Sequence, residues 1–149
     1  MCEHCGCRGV EPIARLMDEH YRLLDLSGRA RGHLAAGDQQ AATALLREMG
    51  DLLGRHTRRE EDGVFAALKA DGEFADAVLE LEGEHDDLDA ALGALDAQSP
   101  DFAARVEVLL ADLAEHIEKE NLGVFPVAVV TLSASGWDLV SRAEATSGV

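Results

Sequence analysis

Basic and aromatic residues are both scarce in this chain. Its 149 residues hold 13 Lys and Arg against 29 Asp and Glu, a formal net charge of −16. Such a polyanion is repelled by phosphate backbones and by anionic bilayers, which argues against nucleic acid and membrane as partners. Only 4% of the residues are aromatic, while Ala, Leu, Glu and Asp dominate, a composition that favours helices over strands. Cysteine is confined to Cys2, Cys5 and Cys7. Three thiols with no distant partner exclude a disulfide framework. Long apolar runs are missing too: the longest, around Val124 to Leu132, is too short to span a bilayer and contains Pro126. The stretch from Met1 to Arg8 lacks an apolar signal core, so a cytoplasmic protein is expected. The length suits one domain able to bury a core without disulfides.

What the chain does have is a repeat. His-x3-Glu-x2-Gly-Val-Phe occurs from His56 to Phe65 and again from His116 to Phe125. Ahead of each stands a Glu-His-x-x-Leu segment, Glu19 to Leu23 and Glu84 to Leu88. Each His lies on an apolar stripe at helical spacing: Ile13, Leu16, Met17, Leu23, Leu24 and Leu34 around His20; Leu45, Leu46, Met49, Leu52 and Leu53 before His56; Phe74, Ala77, Val78, Leu81, Leu88, Leu92 and Leu95 around His85; Phe102, Val106, Leu109 and Leu113 before His116. Gly37 as breaker and Asp38 as N-cap separate the first two stripes, Ala70-Asp71-Gly72 forms a turn, and Ser99-Pro100 caps and opens the fourth helix. The reading is all-α: an up-down-up-down four-helix bundle over residues 10–140, behind a cysteine-containing leader at 1–9 and before a tail at 141–149. Ser135 to Asp138 opens a short C-terminal helix carrying Trp137, Leu139 and Val140, with Thr146 to Val149 frayed.

A His and a Glu four residues apart share a helical face and reach the same ion. Burying four imidazoles and two carboxylates with no cation would cost several kcal/mol per unpaired group. The candidate metal ligands are therefore His20, His56, Glu60, His85, His116 and Glu120. Imidazole suits iron, zinc or copper, and carboxylates bridge hard cations, so two equivalent halves of two His and one Glu fit two bridged metals better than one octahedral ion.

The paired motifs resemble the hemerythrin-like, or HHE cation-binding, family over roughly residues 10 to 140. The resemblance implies two non-haem iron ions with a bridging oxo or hydroxo group, held by His20, His56, His85 and His116 and bridged by Glu60 and Glu120. Oxygen-carrying hemerythrins add a fifth His four residues from the first on the third helix, where this chain has Leu81 or Asp89. Their last motif also ends in Asp one residue further on. The order His, His-x3-Glu, His, His-x3-Glu is more similar to the subgroup associated with peroxide decomposition, nitric oxide handling and iron–sulfur cluster repair. The expected function is catalase- or peroxidase-like redox chemistry on H2O2, with O2 and NO as further ligands and an unidentified electron donor. The alternatives are an O2, NO or iron sensor, and an iron donor for cluster repair.

Around the site, Asp112 is either a hydrogen-bond partner for His116, four residues on, or a solvated surface acid. Asp89 and Tyr21 are weak candidates for an open iron position. Gly63 and Gly123 either bend their helices or leave Val64 and Val124 as an apolar floor. His33, thirteen residues from His20, falls about 220° round the helix and faces elsewhere. The leader, with three thiols and His4, is either a cramped metal or redox site or a flexible tail.

Overall fold

The computed structural model describes residues 10–147. The leader thiols Cys2, Cys5 and Cys7, and Gly148 and Val149, lie outside the described residues. Helix α1 (Glu11–Ala35) opens with Pro12 in its first turn, where a missing N–H costs nothing. Gly37, at φ 78°, turns the chain, and the Asp38 carboxylate caps α2 (Gln39–Glu60) by accepting from the Ala41 N–H at 3.1 Å. A π-helical turn (Glu61–Phe65) joins α2 directly to α3 (Ala66–Asp71), so the second rod continues past its Glu. Gly72, at φ 84°, ends it in the left-handed conformation that glycine adopts without penalty. Then come α4 (Ala75–Gly93) and α5 (Phe102–Lys119), a second π-helical turn (Glu120–Val124) and α6 (Phe125–Thr131), and finally α7 (Ala134–Ser147).

These segments make an all-helical bundle with a C-terminal helix added. As α1 advances from Glu19 to Arg22, its partners on α2 recede from Arg59 to Glu48, the antiparallel sense. Two details differ from the sequence reading. The fourth rod starts at Phe102 rather than Ser99; the Ser99 hydroxyl bonds the Asp101 carboxylate instead of capping the helix, and Pro100 lies in the preceding turn. At the other end Thr146 is helical, its hydroxyl donating to the Arg142 carbonyl at 3.1 Å.

The core comes in two blocks. One holds Ile13, Met17, Val64, Phe65, Leu68, Val78, Leu81, Phe125 and Val140; the other holds Leu23, Leu26, Met49, Leu53, Leu88, Val106, Leu109 and Leu113. Each long rod passes through both blocks, and each carries its His between them: His20 between Met17 and Leu23, His85 between Leu81 and Leu88. The apolar stripes thus enclose a single polar layer. Leu24 and Ala77 fall outside the stripes expected for them and are exposed.

Helix α7 packs against the first π-helical turn. A Cβ at Gly63 would stand 3.2 Å from the Ala143 Cβ and 3.5 Å from the Val140 Cα, whereas one at Gly123 would meet nothing within 4 Å. Glycine at 63 is what lets α7 approach. Both substitutions to Ala gain helix propensity, but only Gly63→Ala overpacks, so it should unfold at lower urea and be less stable than Gly123→Ala by about 1–2 kcal/mol. Equal stabilities would mean that α7 does not depend on that close approach.

Candidate metal centre

The four His and two Glu of the repeat meet in the polar layer. Glu60 and Glu120 are 0% exposed, and His20, His56, His85 and His116 are all buried. Their ligand atoms fall into two groups, each within 4.8 Å: His20, His56, Glu60 and Glu120 in one; Glu60, His85, His116 and Glu120 in the other. The carboxylates belong to both groups, and each group adds two imidazoles. The spacing explains this, because His56–Glu60 and His116–Glu120 are single helical turns whose members point the same way. Across the layer, His56 Nε2 lies 2.8 Å and His85 Nε2 3.5 Å from Glu60 Oε1, while His20 Nε2 and His116 Nε2 lie 3.1 and 3.3 Å from Glu120 Oε1.

Despite these approaches, none of the four Nε2 atoms and none of the four carboxylate oxygens has a hydrogen-bond partner. Eight buried polar atoms orphaned in one place are far outside ordinary practice for a folded protein. They converge on common points rather than pairing with one another. The chemistry of the donors, neutral nitrogen plus anionic oxygen, suits borderline and hard divalent cations, and the residues therefore fit bound metal. Protons alone answer the charge differently. Burial would depress His56, but the charge on Glu60 and the Glu19 hydrogen bond outweigh it and hold the imidazole up to about 10. Burial is likewise outweighed at His85, which Glu120 and Glu60 push up to about 11. Burial would raise Glu120, yet the approach of Glu60, His116, His20 and His85 holds it well below the usual carboxylate range.

Each imidazole is fixed from behind through Nδ1. His56 donates to Glu19 at 3.0 Å, His116 to Glu84 at 2.9 Å, His85 to Glu61 at 2.9 Å and His20 to Asn121 Oδ1 at 2.8 Å. With one proton fixed at Nδ1, Nε2 is the nitrogen that a metal would bind, in place of a second proton. Glu19 is held in turn by Arg59 at 2.5 Å, and Glu84 by Lys119 at 2.7 Å. The ring faces are covered as well. Phe65 stacks on His85 at 5.5 Å between centroids, and Phe125 stacks on His20 at 5.4 Å. Partners and stacking rings therefore repeat from one half to the other, like the ligands.

Both π-helical turns begin within one residue of the Glu that ends the His-x3-Glu motif. Widening the turn, with i→i+5 bonding, brings residues 61 and 65, and 121 and 125, round to the face of the site. Gly63 and Gly123 sit inside these widened turns, which continue the rods, and Val64 and Val124 are buried in the adjoining apolar block. Asp112 is exposed, and the partner of His116 is Glu84 from the neighbouring helix. Asp89 is exposed, Tyr21 is 42% exposed, and neither belongs to the converging groups. Leu81 is buried in the apolar block. His33 stands near Asp38 at 3.8 Å, away from the centre. A cavity of about 200 Å³ reaches His116 and Glu84 and is lined also by Asp87, Asp112 and Glu115, by Lys119, and by Leu88 and Ala91.

A model of the hemerythrin HHE cation-binding domain matches residues 11–128, a span that includes all six converging residues and all four of their hydrogen-bond partners. No curated protein and no solved structure gives a significant match. The chain belongs to the hemerythrin HHE cation-binding family. Among the described residues no helix is long and apolar enough to cross a membrane.

Proposed function

We propose that this hemerythrin-family chain holds two iron ions, one in each converging group, and uses them in redox chemistry on H2O2, with O2 and NO as further small ligands. The observation that carries the reading is the sharing of Glu60 and Glu120 between two groups that each own only two imidazoles. His20 and His56 would hold one ion, His85 and His116 the other, and both carboxylates would span the pair. When bound, such a pair supplies Lewis acidity and a two-electron couple, which is what peroxide disproportionation requires.

The protein's part is to prepare the place. Glu19, Glu61, Glu84 and Asn121 orient the four rings and fix a proton at each Nδ1, so that Nε2 is the nitrogen a metal would take. Phe65, Phe125, Val64 and Val124 wall the layer on one side, and Leu53, Leu88 and Leu113 on the other, so little water competes for the ions. Among the described residues each group gathers two imidazoles and no third, which leaves room for a substrate molecule.

Elemental analysis of protein produced with adequate iron is expected to give two irons per chain, and the same sample is expected to release O2 from added H2O2. One metal per chain, or zinc in place of iron, defeats the di-iron reading. Two irons with no effect on H2O2 defeats the catalytic one and leaves binding. His33→Ala is expected to leave the iron content at two.

A further inference from the structure

The two halves of the centre are near copies, and the place where they differ is informative. Both metal positions share Glu60 and Glu120. Each has one imidazole backed by a carboxylate that is itself tied to a cation: His56 by Glu19 with Arg59, and His116 by Glu84 with Lys119. Each has one imidazole stacked under a Phe, at 5.4 and 5.5 Å. The remaining pair breaks the symmetry. His85 donates to the carboxylate of Glu61, which has no cationic partner among the described residues, whereas the equivalent His20 donates to the neutral amide of Asn121.

A carboxylate behind an imidazole makes its free nitrogen a stronger donor by stabilising the positive charge that coordination induces on the ring. An amide oxygen does so far less. We propose that Asn121 makes the two metal positions unequal, so that the one between His85 and His116 is the tighter and the one between His20 and His56 fills last and empties first. The inference rests on the two-metal reading above. The weaker position is then the natural place for exchange, both of the ion and of a small ligand that displaces water from it.

The test uses full-length protein stripped of metal and titrated anaerobically with Co(II), followed by visible absorption and calorimetry. Two equivalents are expected, with dissociation constants separated roughly 10- to 100-fold, the usual effect of one such partner. Asn121→Asp, nearly identical in shape, should draw the weaker constant to within a few-fold of the tighter. Glu61→Gln should weaken the tighter class by a similar factor. His20→Ala should remove the weak class and keep the strong one, and His85→Ala should do the reverse. Helicity of each metal-free variant, matched to the parent, shows that folding is not the cause. Two ions bound with equal constants, or a separation that neither Asn121→Asp nor Glu61→Gln alters, overturns the inequality alone. Fewer than two ions in the unmodified protein overturns the two-metal reading, and the inequality with it.

Discussion

Glu120→Gln should cost the chain both of the metals proposed for it and should also weaken the metal-depleted protein, by roughly 3–5 kcal/mol. Glu120 lies in both converging groups, so its loss removes a charged ligand from two positions at once. Losing a single partner behind a ligand typically costs 10- to 100-fold in metal affinity, and a shared ligand should exceed that, so iron should fall below one per chain and peroxide turnover by more than about 100-fold. Stability should fall as well once metal is gone, because His56 and His85, held up to about 10 and 11, then carry positive charge that Glu120 answers. Gln fills the same space, but removing one charge from a buried, mutually compensating set leaves the others uncompensated. Urea unfolding with and without a chelator reads both arms: the parent is stabilised by metal, by about 4 kcal/mol when free metal is a thousand times its dissociation constant, and the variant is not. A variant that keeps two irons and its turnover would show that Glu120 is no ligand. A metal-depleted variant as stable as its parent would show that the imidazoles stay neutral without metal and that Glu120 is not part of a charge network of their own making.

That result depends on a site whose six converging residues were legible in the chain but whose supports were not. His20, His56, His85 and His116 each interrupt an apolar stripe once, and the two Glu follow at one helical turn, so periodicity alone carries them into one layer. The four hydrogen-bond partners stand immediately beside converging residues in sequence: Glu19 beside His20, Glu61 beside Glu60, Glu84 beside His85, Asn121 beside Glu120. Neighbours on an α-helix diverge by about 100°, so the phase of their own helix sets these residues off the face of the site. Each serves an imidazole on a different rod, and nothing in one helix's phase specifies that crossing. Asp112 illustrates the error from the other side: four residues before His116 is the right phase on its own helix, but the position is exposed, and Glu84 reaches the imidazole from α4. The repetition of the support was present all along, since Glu19 and Glu84 occupy equivalent places in the two Glu-His segments. The π-helical turns left no comparable trace beyond the paired glycines, and the close seat of α7 on Gly63 is a tertiary fact that weak amphipathicity in the last helix did not announce.

In air, the reduced iron protein should oxidise promptly, and the oxidised protein should then release O2 from H2O2. The reason lies in the ligand count. Each position owns two neutral imidazoles and shares two anionic carboxylates, and in a low-dielectric layer negative charge favours the more highly charged ion. A further imidazole would dilute that preference and occupy the open position. Of the two places where the family's oxygen carriers suggest one, Leu81 is buried one turn before His85, and Asp89 is exposed one turn after it. Leu81→His should therefore slow oxidation in air and depress peroxide turnover, whereas Asp89→His should change neither. Stopped-flow absorption of anaerobically reduced protein mixed with aerated buffer, alongside an oxygen electrode for the H2O2 reaction, measures both. If the unmodified protein instead shows a visible spectrum that comes and goes reversibly with oxygen pressure, and does not consume peroxide, the catalytic reading fails and the centre belongs to a carrier or a sensor.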